Sequence, residues 1–220
     1  MAAKNKYTPH LFFTEASLWL SSLFLFCVIE LHYLNPAFDP RWRTVSEYAL
    51  GPFGWMMNLA FLAFGIGSIL LVVVLWKYLG KLGRLGGVLM TLWGVGSIAQ
   101  IFFPSDLMPD VGRQVYTQTG TIHTLIGFSA ILCFIFAVIL IGKSLARNSA
   151  WHSSKRFLFW VTILPWVGVV IFIASVVHMV ALGGVPQTSL LGIGERVLLL
   201  ANTVWTILIS HHTIKILRSS

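Results

Sequence analysis

Six long and uninterrupted apolar runs limit what this chain can fold into. They cover approximately residues 14–34, 48–76, 85–103, 120–145, 157–182 and 194–217. A helix needs about 20 apolar residues to cross the hydrocarbon core of a bilayer, whereas a membrane β-barrel shows shorter stretches of alternating polarity. Only 10% of the residues are charged, too few to cover a water-soluble fold of this size. The sequence therefore predicts an all-α, multi-pass membrane protein, with residues 1–220 forming a single bundle of about six transmembrane helices.

The distribution of basic residues predicts the orientation of this bundle. Eleven of the fifteen Lys and Arg residues lie near the two chain ends or in the loops after the second and fourth apolar runs. Lys and Arg concentrate on the cytoplasmic side of membranes, so both termini are predicted inside. The loops after the first, third and fifth runs are then outside. We expect a multi-pass protein of the cell (cytoplasmic or inner) membrane. The four basic residues of the outer side are Arg41, Arg43, Arg113 and Arg196.

The net charge of +8 does not indicate a nucleic-acid-binding protein. The positive residues lie in short loops between apolar runs and form no basic face with interleaved aromatic residues. Membrane lipids are the expected partners, and nucleic acid is not. Cys27 and Cys133 both lie within apolar runs, so no disulfide framework is expected.

Polar and ionisable residues gather near the predicted outer ends of the helices. An ionisable group in the middle of a membrane helix costs about 2.5–3.5 kcal/mol, so such groups tend to face the bundle interior and to be functional. Because every helix contributes at least one polar group at a similar depth, the sequence predicts one polar pocket open to the outside. Each residue also has a plain structural explanation, such as a helix start at 195–196 or snorkelling to water. The group comprises Glu30, His32, Ser46, Glu47, Asp106, Arg113, His123, His178, Glu195 and Arg196.

Three of these residues suggest a metal site. Imidazoles are common ligands of zinc and similar divalent metals, and His32, His123 and His178 are the candidate ligands. A haem between His123 and His178 is a less favoured alternative. Without a metal, Asp106, His123 and His178 are candidates for acid–base catalysis, and Ser46 is a candidate nucleophile.

Four further residues are candidates for substrate binding: Glu30, Arg113, Glu195 and Arg196. The two arginines suit an anionic head group because a guanidinium can form paired hydrogen bonds with it.

Short motifs at the same positions resemble a known membrane family. They are Ser-Glu-Tyr-Ala-Leu-Gly at 46–51, Phe-Pro-Ser-Asp at 103–106, Thr-Gly-x-Ile-His at 119–123 and Glu-Arg at 195–196. They resemble the bacterial and archaeal family called "domain of unknown function nine-nine-eight", over roughly residues 16–217. The resemblance implies a six-helix architecture and carries no assigned activity.

A more distant analogy connects the polar residues with membrane hydrolases such as alkaline ceramidases and adiponectin-type receptors. Those proteins use a serine, an aspartate and three histidines around zinc, and the same residue types occur here as Ser46, Asp106, His32, His123 and His178. This chain differs from them in having about six helices instead of seven. It also lacks a paired histidine motif at the outer end of its last helix.

These observations leave three functions open. The first is an outward-facing hydrolase or transferase acting on a lipid or lipid-linked substrate. The second is a non-catalytic protein that binds or senses a lipid or small molecule. A transporter is less favoured, because the centres of the predicted helices are nearly all apolar, with Asn58, Gln100 and Asn202 as the strongest polar exceptions.

Overall fold

The computed structural model describes residues 8–112 and 115–219 as a helical bundle without a strand in either range. Within these two ranges, six helices are long and apolar enough to cross a membrane. Short 3-10 helices follow α2 at Trp76–Tyr78, precede α5 at Ser149–Ser154 and lie in two outer loops at Val45–Leu50 and Pro186–Thr188. The α-helices are α1 Pro9–Leu34, α2 Gly54–Leu75, α3 Lys81–Ala99, α4 Gln118–Leu145, α5 Lys155–Ala181 and α6 Leu191–Ser219.

Several of the approximate helix boundaries expected from the sequence differ from the structure, beginning with the first helix, which starts at Pro9 instead of about residue 14. The second helix was expected from residue 48, but residues 48–50 belong to the separate Val45–Leu50 helix and α2 begins at Gly54. The chain becomes extended at Gly51, and Pro52 follows it without a backbone N–H to donate. The third helix was expected at 85–103, but α3 occupies Lys81–Ala99. Hydropathy reports how apolar a segment is and does not report whether its backbone is helical, so apolar loop residues were counted as helix.

The helices form a closed ring in chain order, with α6 returning to pack against α1. Near the termini, the buried hydroxyls of Ser17 and Ser210 lie 3.0 Å apart, and Glu15 pairs with Arg218 at 2.9 Å. Six crossings place both termini at one end of the ring. We call the opposite end, which carries the Val45–Leu50 helix, the outer end, following the distribution of basic residues.

One pair of neighbouring helices packs much less closely than the others. Consecutive helices otherwise pack closely, whereas α4 and α5 approach each other at far fewer positions. Near the outer end this α4–α5 seam is bridged by Phe128 and Phe172, whose ring centroids are 5.8 Å apart. Phe128 is 44% exposed, so its ring also reaches the lipid-facing surface.

A column of aromatic side chains fills the centre of the closed circle of six helices. Phe24 of α1 contacts Phe64 of α2 at 4.8 Å, and Phe64 meets Trp93 of α3 edge-on at 5.4 Å. Phe134 of α4 then lies between Trp93 at 5.0 Å and Trp205 of α6 at 5.7 Å, in T-shaped pairs. Such pairs add about 0.5–1.5 kcal/mol each beyond the area they bury. The column ties five helices together and closes the bundle below its outer end.

Candidate functional site

A cavity of about 210 Å³ lies between the aromatic column and the outer loops. All six helices contribute to its wall. The deeper part is apolar and includes Phe24, Phe64 and Trp93 of the column. The part nearest the outer end is polar, and this polar ring consists of Thr44, Ser46, Gln100, Ser105, Asp106, Tyr116, His123, Thr124 and Glu195.

The first outer loop is held over the cavity by a buried ion pair. Arg43 donates to the Glu47 carboxylate at 2.7 Å, and the side chains of these two residues are 5% and 0% exposed. Glu47 also accepts from the backbone N–H groups of Thr44 at 2.7 Å and Met108 at 3.0 Å. The first of these bonds caps the Val45–Leu50 helix. Glu47 therefore joins the first outer loop to the second.

Arg43 extends this connection. Its guanidinium donates to the Met108 carbonyl at 3.0 Å and to Asp110 at 2.6 Å. The same group lies 4.4 Å from the centre of the Trp42 ring and 4.9 Å from that of Phe38. This arginine thus anchors both loops that form the outer wall of the cavity.

Glu195 connects α6 to the first outer loop from inside the cavity. One carboxylate oxygen accepts from the Val45 backbone N–H at 2.5 Å, and the other lies 3.4 Å from the Ser46 hydroxyl. Ser46 and Glu195 both line the cavity. The structure therefore brings together two of the residues selected from the sequence.

Asp106 approaches the cavity from the second outer loop. It accepts from the backbone N–H of Thr117 at 2.8 Å and from the Thr117 hydroxyl at 2.7 Å, next to the start of α4. A Cβ atom at Gly120 would collide with the Asp106 carboxylate, so the glycine creates the space that this side chain occupies. Partial burial raises the pKa of the nearby Tyr116 phenol, and the negative charge of Asp106 raises it further. Tyr116 accordingly remains a hydrogen-bond donor at neutral pH.

His123 is buried on the first turns of α4 and lines the same cavity. Its Nδ1 lies 2.7 Å from the carbonyl oxygen of Phe103. A carbonyl oxygen only accepts hydrogen bonds, so Nδ1 carries the proton and donates it. This tautomer leaves Nε2 as the acceptor of the ring.

The three histidines predicted as metal ligands are not brought together. His32 has both ring nitrogens engaged, with Nδ1 2.6 Å from the Val28 carbonyl and Nε2 accepting from Arg196 at 2.7 Å. His178 is exposed on α5 and does not line the cavity. Within residues 8–112 and 115–219, no three His, Cys, Asp or Glu residues lie close enough to hold a metal ion. The geometry therefore gives no support to the expected zinc or divalent-metal site, or to the remote analogy with zinc-dependent membrane hydrolases.

The predicted substrate-binding residues also separate. Arg196 donates to the carbonyls of Arg43 at 2.6 Å and Gly192 at 3.0 Å, and to the Tyr48 hydroxyl at 3.1 Å, in addition to His32. It faces these acceptors and is absent from the cavity wall. Glu30 is half-buried on α1 and likewise does not line the cavity. Arg113 lies outside the described residues.

Several residues of this region were not selected from the sequence as site residues. Gln100, Tyr116 and Thr124 belong to the polar ring. Gln100 was noted only as a polar residue within an apolar run, and Tyr116 and Thr124 were not distinguished from ordinary loop or helix residues. Arg43 was counted only as an orientation signal, although it is buried. The spacing of Arg43 and Glu47, four residues apart around a capping box, is the one sequence signal that could have revealed their pairing.

Comparison with known proteins places the chain in a family. No curated protein and no solved structure matches it. Residues 21–212 match the family described as "Protein of unknown function (DUF998)". The match covers most of the chain and includes every residue described above as lining the cavity. The protein is a multi-pass membrane protein that belongs to the DUF998 family.

Proposed function

We propose that this protein binds one amphipathic molecule in its outer cavity and takes that molecule from the surrounding membrane. The observation that carries the proposal is the division of the cavity into an apolar inner part and a polar ring. Ligand sites are usually concave and mostly apolar, with a few polar groups that fix the orientation of the ligand. An apolar group of the ligand would contact Phe24, Phe64 and Trp93. The polar end of the ligand would contact the polar ring of the cavity wall.

The volume of the cavity limits the size of the ligand. An engineered apolar protein cavity of about 150 Å³ holds one benzene molecule. At about 210 Å³, this cavity accommodates a group somewhat larger than benzene, such as a short alkyl chain or a substituted aromatic ring. A whole diacyl lipid does not fit inside, although one part of a longer molecule does.

The α4–α5 seam supports access from the membrane. Phe128 and Phe172 both line the cavity and meet across the seam. The partly exposed ring of Phe128 separates the cavity from the lipid-facing surface. An apolar molecule dissolved in the bilayer would reach the cavity by displacing this ring, without crossing the outer loops.

Two valines of α5 allow a matched test. Val176 lines the cavity, whereas Val170 is 62% exposed on the outside of the helix. Val176→Trp would fill the cavity, and Val170→Trp adds the same bulk outside it. We expect molecules extracted from the purified protein and identified by mass spectrometry to be retained by Val170→Trp and lost from Val176→Trp. Equal recovery from two folded variants would contradict the proposal.

Hydrolysis or group transfer at the same cavity is a second candidate function. It is favoured by one observation: the Ser46 hydroxyl lies 3.4 Å from the Glu195 carboxylate, in the cavity that also contains His123. A nucleophile and its base usually approach within about 2.6–3.2 Å, with longer distances in ligand-free enzymes. If this function is correct, the wild-type protein converts the extracted molecule to a product on incubation, and Ser46→Ala and His123→Ala abolish the conversion. A molecule that stays intact with the wild type leaves binding as the function.

A further inference from the structure

We infer that the polar end of the ligand carries a positive charge, as in an ammonium group. The inference rests on the proposed binding function and assigns the chemical class of the ligand. It comes from the charges of the cavity wall. Two carboxylates, those of Asp106 and Glu195, belong to the polar ring. Among the described residues of the wall there is no Lys or Arg, although the chain as a whole has a net charge of +8.

The two described arginines nearest to this region are already occupied. Arg43 bonds to Glu47, Asp110 and a backbone carbonyl, and Arg196 bonds to His32, Tyr48 and two backbone carbonyls. Neither side chain lines the cavity. An anionic head group would therefore meet the Asp106 carboxylate and the buried Glu195 carboxyl group without a described guanidinium of the wall to offset them. Like charges at close range disfavour binding.

The two carboxylates retain capacity for a ligand. An ionised carboxylate offers about four acceptor positions. The described contacts of Asp106 use two of them, both with Thr117. Glu195 accepts one short hydrogen bond from the Val45 backbone N–H and makes one long contact with the Ser46 hydroxyl. An ammonium group with N–H bonds would donate to the remaining positions, and a quaternary ammonium would attract the same oxygens by charge alone. A charge pair is stronger in a site of low polarity than in water.

Aromatic rings of the wall add a second attraction for a cation. Tyr116 belongs to the polar ring beside Asp106, at the level where the charged end of the ligand would lie. Cations bind favourably over the faces of such rings, and more strongly when they are removed from water. A neutral head group with hydroxyls would use the carboxylates and would not gain this attraction. The combination of carboxylates and rings therefore favours a cation.

Three probes with the same short chain separate the possibilities: hexyltrimethylammonium, hexanol and hexyl sulfonate. Binding is measured by the change in intrinsic tryptophan fluorescence and by thermal shift, with the protein in an uncharged maltoside detergent. We expect the ammonium probe to bind at least about tenfold more tightly than the alcohol, and the sulfonate to bind most weakly.

Matched variants assign the preference to the cavity. Asp106→Asn removes a negative charge and keeps an oxygen that can accept from the Thr117 backbone N–H. Glu195→Gln replaces the carboxyl group by an amide whose oxygen can accept from the Val45 backbone N–H. We expect each to reduce ammonium binding by about tenfold and to reduce hexanol binding by a much smaller factor, because the amide oxygen still accepts from a hydroxyl. Asp39→Asn removes the same charge from the outer face, where Asp39 pairs with Arg41 away from the cavity, and should change neither.

Each outcome decides between the inference and the function on which it rests. Equal binding of alcohol and ammonium, or tighter binding of the sulfonate, overturns the positive charge and leaves the amphipathic site in place. If no probe binds the folded protein, and Val176→Trp retains the same extracted molecules as the unsubstituted protein, both the positive charge and the proposed binding function are overturned. If a carboxylate variant does not fold, the preference of the unsubstituted protein still decides the sign of the charge.

Discussion

At the scale of single residues, the outer loops depend on one buried arginine. Arg43 connects a fully buried carboxylate, Glu47, to the exposed carboxylate of Asp110. Removing one partner of a buried ion pair leaves a charge without compensation, which is far more costly than losing a pair at the surface. The burial of an ion pair, and not only the distance between its charged atoms, therefore determines its contribution to stability here.

The first prediction follows from this difference. We expect Arg43→Ala to destabilise the protein by about 3–5 kcal/mol, because Glu47 would remain buried and unpaired. Asp110→Asn should cost less than about 1 kcal/mol, since the Asp110 side chain is 82% exposed. Thermal unfolding in detergent, followed by intrinsic fluorescence, measures both effects. If Arg43→Ala and Asp110→Asn lowered the stability by similar amounts, the unpaired Glu47 carboxylate would not be the cause of the destabilisation.

Arg41 provides a control for the loss of an arginine in the same loop. Its guanidinium pairs with Asp39 at 2.6 Å and is largely exposed. This pairing lowers the pKa of Asp39, through the side-chain hydrogen bond first and the Arg41 backbone N–H second. Arg41→Ala should change the unfolding temperature much less than Arg43→Ala.

At the scale of an element, α6 carries a polar face through the bundle. Glu195 and Asn202 lie on the same face, seven residues apart, so Asn202 is about 10 Å deeper in the bundle. Farther along, Thr206 donates to the Asn202 carbonyl and Ser210 contacts Ser17 of α1. The hydroxyls of this face use neighbouring backbone or side-chain partners. The two side-chain atoms of Asn202 are buried and have no partner among the described residues.

The second prediction concerns this unpaired amide. A buried polar group without a partner costs about 1–3 kcal/mol, and an apolar side chain of similar size removes that cost. We expect Asn202→Leu to raise the unfolding temperature and to leave binding at the cavity unchanged. A lower unfolding temperature would contradict this expectation and indicate that a water molecule or another partner satisfies the amide.

The third prediction concerns the α4–α5 seam as a route for the ligand. Phe128→Ala removes the ring between the cavity and the lipid-facing surface, so we expect association and dissociation to accelerate by about tenfold, with a smaller change in Kd. Phe136→Ala is the control, because Phe136 lies on the same helix, is 53% exposed and does not line the cavity. Stopped-flow fluorescence measures the rates. Unchanged rates in Phe128→Ala would exclude the seam as the route.

At the scale of the whole molecule, the site depends on the closure of the ring of helices. Each helix contributes to the wall of the cavity, and α1 must meet α6 for Glu195 to reach the first outer loop. The loops then form the outer wall, and Gln187 of the third loop donates to the Pro109 carbonyl of the second. The cavity is therefore a property of the assembled bundle and belongs to no single segment.

The fourth prediction tests the orientation of the whole molecule. We expect a cysteine introduced at Asp110 to react with a membrane-impermeant thiol reagent in intact cells. A cysteine at Ser149, which is exposed at the opposite end, should react only after permeabilisation. The unsubstituted protein is the control for its own cysteines, Cys27 and Cys133. The reverse labelling pattern would place the cavity on the cytoplasmic side.

The sequence by itself determined the helical class, the number of membrane-spanning helices and the family of this protein. These properties depend on local features: the length of an apolar run, the residues that end it and short motifs in chain order. The limits of this information appear at 48–50 and 101–103, where residues outside the membrane-spanning helices were assigned to them. Their backbone geometry depends on contacts with other loops, which a linear pattern does not contain.

Only the tertiary structure decided which polar residues share a site. His32, His123 and His178 were expected at a similar depth, yet one ring is engaged by Arg196, one lines the cavity and one is exposed. Depth follows from position along a helix, whereas meeting another side chain also requires the right rotation about the helix axis. Helices that are apolar on all sides carry no pattern that reveals this rotation. The packing of six helices against one another supplies it, and so places Ser46, Asp106, His123 and Glu195 in one cavity.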